Sequence, residues 1–225
     1  MAGVSDDGTA VSWSRLREQK APVREVVSGA TDLLRPAWDV QGTLWLVDRS
    51  SDGALVLTVA GGRRASLIVP GVTGEQVRRF LVSRDGSRLV AVLRRPNGDA
   101  LVVSRLRRDE QGRVVSATPA REVPWTTGVG RIQDIGWRSP TSVSVLSQPT
   151  EDKADVHTVA VDGSPGFALP SATRPSGRMR WLVSSPVATE HSYAVARNGL
   201  ISDLSGPTPV ERPAGVALST LTYAG

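Results

Sequence analysis

The 225-residue chain lacks several residue types, and each absence excludes a class of structure or chemistry. It has no cysteine, which excludes disulfide bonds and thiolate metal sites. It has only two histidines, His157 and His191, and two distant histidines do not build a zinc site alone. No apolar run approaches the roughly 20 residues of a membrane-spanning helix. Helical periodicity is nearly absent, which disfavours a helical fold.

Charge is distributed unevenly along the chain. The 27 basic and 22 acidic residues give a net charge of +5, and only Lys20 and Lys153 are lysines. Between Arg63 and Arg108, eleven arginines stand against three acidic residues, a local charge of +8. This stretch predicts a basic face. We expect no nucleic-acid partner, because the sequence offers neither a recognition helix nor an aromatic stacking platform.

Short apolar runs alternate with turn signals along most of the chain. Runs rich in Val, Leu, Ile and Thr occupy residues 44–47, 54–59, 89–92 and 155–161. Asp-Gly or Asn-Gly pairs stand between such runs at residues 52–53, 85–86, 97–98 and 162–163. This spacing predicts an all-β meander of hairpins joined by tight turns.

A repeat appears when the segments beginning at Leu33, Val77, Ile132 and Met179 are aligned. The first and fourth columns of the alignment are apolar throughout, and Trp38 and Trp137 share a later column that favours a packing role. The segments start 44, 55 and 47 residues apart, close to the ~40–50 residues of a propeller blade. The sequence therefore predicts an all-β β-propeller of four-stranded antiparallel blades. Five blades fit residues 1–225 as a single domain.

The two ends of the chain predict how the ring closes. The first unit begins at its inner turn and lacks an inner strand, whereas residues 216–223 read as a strand with no unit after it. We expect this C-terminal strand to join the first blade, because closure removes two exposed sheet edges. The alternative is a fragment of a larger propeller with open ends.

Signals for enzyme chemistry are weak. The chain has no Gly-x-Ser-x-Gly nucleophile motif, and its adjacent acids at residues 6–7, 109–110 and 151–152 stand in turn-like stretches. The same acidic stretches lack the pattern of a calcium loop. We therefore expect no enzymatic activity, no cofactor and no metal.

Arginines are the most informative polar residues of the repeat. Its second and third columns, on the predicted inner strand, are polar. Trp125, in a predicted loop, is a further candidate anchor for an interface. The candidate residues for binding an anion or an acidic partner are Arg35, Arg78, Arg79, Arg131, Arg178, Arg180 and Trp125. The alternative is that these arginines pair with Asp32, Asp134 and main-chain carbonyls between blades.

Three segments carry a resemblance to a known family: residues 33–49 with Trp38 and Trp45, residues 80–92, and residues 135–138. The chain resembles the C-terminal β-propeller domains of the LpqB family of actinobacterial lipoproteins. The similarity is clearest between Leu33 and Val161. A Ser-x-Asp-Gly turn occurs in other propellers too, whereas the run around the two tryptophans is more specific.

The resemblance implies an extracytoplasmic protein that is anchored to the cell membrane. Family members carry a signal peptide, a lipidated cysteine and a GerMN-type domain upstream, so we expect this chain to be a soluble fragment. The sequence leaves its oligomeric state open and favours a monomer. The implied partner is the extracytoplasmic domain of the sensor histidine kinase MtrB. No catalytic residue and no cofactor come with the family.

The resulting hypothesis is a non-catalytic protein-interaction module that modulates an envelope two-component system of the MtrB type. The alternative is a ligand-binding propeller that senses an anionic envelope component in an arginine-lined channel. Both hypotheses use the same arginines, so their geometry bears on each.

Overall fold

The computed structural model describes fourteen segments of the chain. They are residues 2–4, 11–13, 24–27, 32–39, 41–49, 55–60, 63–73, 76–123, 131–150, 153–162, 179–184, 192–196, 200–203 and 210–213. Every sheet in these segments is antiparallel, and the segments contain no α-helix. The prediction of an all-β meander is confirmed.

The first two sheets are formed by strands that follow one another along the chain. The first sheet has the order β1 (Ala2–Val4), β2 (Val11–Trp13) and β3 (Arg24–Val27). The second has the order β4 (Ala37–Trp38), β5 (Leu44–Asp48), β6 (Leu55–Ala60) and β7 (Arg63–Ile68). Each strand in these two sheets therefore pairs with the strand that follows it along the chain.

The third sheet has an outer strand that is split into two pieces. Its strands are β8 (Val77–Val82), β9 (Arg88–Arg95), β10 (Gly98–Arg108), β11 (Val114–Ala117) and β12 (Arg121–Glu122). Both β11 and β12 pair with β10. Proline at position 119, between them, cannot donate to a sheet ladder, which accounts for the interruption.

The last two sheets continue the meander. The fourth has the order β13 (Arg131–Ser139), β14 (Ser142–Thr150) and β15 (Lys153–Ala160). The fifth has the order β16 (Met179–Ser184), β17 (Ser192–Ala196), β18 (Leu200–Asp203) and β19 (Val210–Pro213). Residues 216–223 lie outside the described segments. Ring closure by this strand, the number of blades and the single domain therefore stay predictions.

The chain divides into two compact units. One comprises Met1–Arg95 and Val102–Glu122, and the other comprises Pro96–Leu101 and Val123–Gly225. The first contains a hydrophobic cluster shared by the second and third sheets, with Trp45 and Leu93 fully buried. Truncating a buried Trp45 to alanine costs about 3–5 kcal/mol. Packing between the faces of these two sheets therefore stabilises the first unit.

The aligned columns of the repeat match the burial pattern. The first-column residues Leu33, Val77 and Ile132 are 6%, 1% and 2% exposed. Trp38 differs from the packing role predicted for it, because 40% of its surface is exposed. Neighbouring residues of a strand point to opposite faces, and Ala37 is the one that packs against the core.

Candidate functional site

Three of the arginines predicted to bind an anion or an acidic partner lie in the first unit. Arg35 is exposed and precedes β4, whereas Arg78 and Arg79 are half-buried near the start of β8. A guanidinium N–H of Arg79 (Nη1) donates to the carbonyl of Arg78 at 2.8 Å. This contact joins adjacent residues of one strand, so it is not the contact between blades that the alternative predicts. Asp32, one of the two carboxylates named in that alternative, forms an ion pair with Arg49 at 2.5 Å.

The other predicted residues belong to the second unit or lie outside the described segments. Arg131 is the exposed first residue of β13, and Arg180 is the second residue of β16. Trp125 and Arg178 lie outside the described segments. The convergence of these residues at a channel mouth stays a prediction.

The second column of the repeat, which is polar in three of its four segments, coincides there with a recurrent β-bulge. In β8, Val77 faces Leu93 and Arg79 faces Val92, so Arg78 is the extra residue. The same shift leaves Gln133 extra in β13 and Arg180 extra in β16. A bulge bends its strand and redirects a side chain. The polar column thus marks a repeated backbone feature that the column pattern alone did not predict.

A buried carboxylate organises the turn between β4 and β5. Asp39 accepts hydrogen bonds at Oδ1 from the backbone N–H groups of Gln41 and Thr43, both at 2.9 Å. Its Oδ2 accepts from the indole N–H of Trp45 at 3.0 Å. The Asp39 side chain is 0% exposed. A buried charge of this kind is tolerated only when it is paired and fully hydrogen-bonded.

Arg108 supplies the positive charge that pairs with Asp39. Its Nη2 lies 2.6 Å from Asp39 Oδ2, and its side chain is 13% exposed. Its remaining nitrogens donate to the carbonyls of Gly86 at 3.2 Å and Gly112 at 2.7 Å and to Gln41 Oε1 at 2.6 Å. One guanidinium therefore connects three turns from two sheets. We call Asp39, Arg108 and these partners the turn clamp.

The absence of a side chain at Gly86 leaves room for the Arg108 guanidinium of the turn clamp. Its φ is +66°, in the left-handed region, and its carbonyl accepts from Arg108. A Cβ at this position would clash with Arg108 Nη2, and it would lie 2.9 Å from Cζ and 3.0 Å from Asp39 Oδ2. Glycine therefore meets both a conformational and a steric requirement here.

The turn between β10 and β11 repeats the local geometry without the buried partner. Asp109 Oδ1 accepts from the backbone N–H groups of Gln111 at 3.0 Å and Arg113 at 2.8 Å. The Arg113 guanidinium lies 2.7 Å from Asp109 Oδ2 and is largely exposed. Desolvation acts to raise the pKa of Asp109, but the hydrogen bonds and charge of Arg113, with the Gln111 N–H, hold it below its ordinary value.

Sequence reasoning did not single out the turn clamp. The turns share an Asp-x-Gln-Gly pattern, at residues 39–42 and 109–112, which was available as a local signal. No local signal identified the partner of Asp39, because Arg108 lies 69 residues further along the chain. Each arginine of the +8 stretch is an equal candidate until the two sheets pack.

Arginine dominates the exposed charge of the described side chains. Exposed carboxylates number four, Asp85, Glu110, Glu122 and Asp162. Exposed arginines number ten: Arg35, Arg84, Arg94, Arg95, Arg105, Arg107, Arg113, Arg121, Arg131 and Arg138. Within the described segments, no three His, Asp or Glu side chains are grouped to hold a metal ion. No helix in those segments has the length and apolarity needed to cross a membrane.

Solved structures share this fold at low sequence identity. The nidogen/laminin complex gives a TM-score of 0.60 at 12% identity, covering 90% of this chain and 74% of that one. A Lactobacillus plantarum protein gives 0.57 at 12% identity, with 94% and 64% covered. Kuenenia stuttgartiensis hydrazine synthase gives 0.53 at 16% identity, with 90% and 64% covered. These likenesses support the fold alone.

Curated relatives and a family model point to one family. Lipoprotein LpqB of Streptomyces coelicolor is 29% identical over 144 residues, 62% of this chain and 23% of that protein. Lipoprotein LpqB of Streptomyces avermitilis is 25% identical over 185 residues, 78% and 29% of the two chains. The chain therefore spans about a quarter of the length of these relatives. The model of the lipoprotein LpqB β-propeller domain matches residues 1–214, so the fold class is confirmed and this chain belongs to that family.

Proposed function

We propose that this chain is a non-catalytic protein-interaction module of an envelope lipoprotein, and that it modulates a sensor histidine kinase of the MtrB type. Two relatives bear the name lipoprotein, which supports an extracytoplasmic location and an N-terminal lipid anchor in the whole protein. The LpqB propeller family is not a known enzyme family. The partner in this proposal is the extracytoplasmic domain of the kinase.

One observation carries the proposal: ten exposed arginines against four exposed carboxylates among the described side chains. A surface of one dominant sign attracts an acidic partner and accelerates encounter. Salt screens such attraction over a Debye length of roughly 10 Å at 0.1 M. Binding to an acidic partner should therefore weaken as salt rises.

The test is calorimetric titration of this chain with the kinase extracytoplasmic domain at about 50 mM and about 300 mM NaCl. We expect binding at low salt that weakens by roughly tenfold at high salt. Binding of equal strength at both concentrations would show that arginine charge does not drive it. Absence of binding at high micromolar concentration would overturn the proposal for this chain.

A second candidate is a sensor of an anionic envelope component. The recurrent bulge favours it, because the extra residue is polar in all three sheets where it is found. Thermal unfolding with and without an anionic cell-wall fragment tests this candidate. A ligand that binds the folded state raises the midpoint, and Arg78→Gln should reduce that rise. An unchanged unfolding midpoint at millimolar concentrations of the fragment would rule out the sensor candidate.

A further inference from the structure

Four arginines collect at one end of the β8–β9 pair. Arg78 and Arg79 stand near the start of β8, and Arg94 and Arg95 are the last two residues of β9. Val77 faces Leu93 across the pair, so all four arginines lie within a few residues of the same sheet end. We call these four residues the hairpin patch, because the β9–β10 hairpin begins there.

Arg94 and Arg95 are the two members of the hairpin patch without a carboxylate partner among the described residues. Arg94 and Arg95 are exposed, and neither forms an ion pair or side-chain hydrogen bond with another residue that the structure describes. Asp99 is the carboxylate closest along the β9–β10 hairpin. One of its oxygens (Oδ2) accepts the backbone N–H of Ile132 at 2.9 Å, which directs that oxygen to the start of β13.

The opposite end of the same sheet is arranged differently. There, Arg108 pairs with buried Asp39 and Arg113 pairs with Asp109. Like charges that lie close together repel each other. Arg94 and Arg95 have no carboxylate partner among the described residues. An external anion would therefore relieve the repulsion between the arginines of the patch.

The chemistry of guanidinium groups limits the class of ligand that the hairpin patch can bind. Arginine presents a planar fork of donors that matches a carboxylate in two parallel hydrogen bonds. The cluster is narrow, with two half-buried and two exposed members at one strand end. A short row of carboxylates on an extended segment fits such a cluster better than a broad membrane surface does.

We propose that the hairpin patch binds an acidic segment of a protein partner through its carboxylates. The inference rests on the proposed interaction function, because it names the surface and the partner chemistry for that function. It also extends the sequence-based site, since Arg94 and Arg95 join the predicted residues Arg78 and Arg79.

The experiment compares two double variants of the full chain. Arg94→Gln/Arg95→Gln removes two exposed charges from the patch. Arg105→Gln/Arg107→Gln is the matched control, because it removes two exposed arginines of β10 near its other end. Calorimetry measures binding of each variant to a hexaglutamate peptide and to the kinase extracytoplasmic domain. Thermal unfolding of both variants checks that they fold.

The patch variant should lose about tenfold in affinity for both probes, whereas the control should change by less than about twofold. Equal losses in both variants would overturn the inference, because only net charge would then matter. Kinase binding that the patch variant retains would overturn the inference and leave the proposed function standing. Peptide binding lost only in the patch variant, with no kinase binding, would support the patch and overturn the proposed partner. Stronger, patch-dependent binding to vesicles containing phosphatidylglycerol than to the peptide would assign the surface to the membrane and overturn the inference.

Discussion

The two Asp-x-Gln-Gly turns of the first unit have the same local structure. In each, the aspartate Oδ1 accepts backbone N–H groups two and four residues ahead. In each, the glycine takes a positive φ, +73° at Gly42 and +75° at Gly112. Four residues therefore suffice to build the turn, since an aspartate side chain can bond its own backbone and glycine tolerates that conformation.

The surroundings of the two aspartates are different. Asp39 is buried with Trp45 and Arg108, whereas Asp109 pairs with the exposed Arg113 four residues ahead. An exposed ion pair contributes little because water and salt screen it. A buried pair is strongly coupled, and the loss of one member leaves an uncompensated charge. Identical turns thus differ in their importance for stability.

Asp39→Asn should have the largest effect. The substitution preserves one acceptor oxygen for the turn but leaves the Arg108 guanidinium buried without its counter-charge. We expect a loss of about 3–5 kcal/mol in the free energy of unfolding, measured by urea denaturation. Asp109→Asn is the matched control and should cost much less. Equal losses would contradict the assigned difference between the turns.

Gly86→Ala should have the second-largest effect. Its Cβ would displace the Arg108 guanidinium, and alanine is strained at a φ of +66°. We expect a loss of about 2–4 kcal/mol from strain and broken charge-assisted hydrogen bonds. Gly112 has a similar φ, and the Cβ of Gly112→Ala would meet only the Gln41 side chain, with Oε1 at 3.5 Å and Cδ at 4.0 Å. That control should lose about 1 kcal/mol, and a loss as large as that of Gly86→Ala would refute the steric argument.

The smallest effect concerns pH and the exposed turn. The folded-state pKa of Asp109 lies below its ordinary value of 3.8. Its carboxylate therefore stabilises the fold above the unfolded-state pKa, and this contribution is lost as pH falls through the folded-state pKa. The difference in unfolding free energy between wild type and Asp109→Asn should shrink between about pH 6 and about pH 2. Glu110→Gln controls for net charge, and a difference that persists at low pH would be inconsistent with this account.

Hydrophobic patterning predicted much of the fold. The run at residues 44–47 lies within β5, the run at 89–92 lies within β9, and that at 155–161 overlaps β15. The turn at residues 85–86 lies between β8 and β9 as expected. These features are local, because alternation and turn chemistry act over a few residues. The exposure of Trp38 was not predicted, since a shared column does not report which face remains uncovered.

The candidate site was predicted only in part. The second column of the repeat is polar in three of its four segments, and a bulge lies at that position in β8, β13 and β16, which the column pattern did not predict. The sequence did not single out Arg94 and Arg95, because their closeness to Arg78 depends on strand register. The alternative named Asp32 as a partner of the predicted arginines, and in the structure Asp32 pairs with Arg49, which the bridge between Leu33 and Asp48 brings near.

The sequence by itself determined the all-β class, the hairpin turns and the repeating unit, because these depend on interactions between residues close in the chain. The tertiary structure decided which arginine pairs with Asp39, and it left Arg94 and Arg95 without a carboxylate partner among the described residues. Packing of the second and third sheets buries Asp39 and Arg108 together across 69 residues. The strength of that charge pair depends on exclusion of water, and only the packed sheets exclude water there.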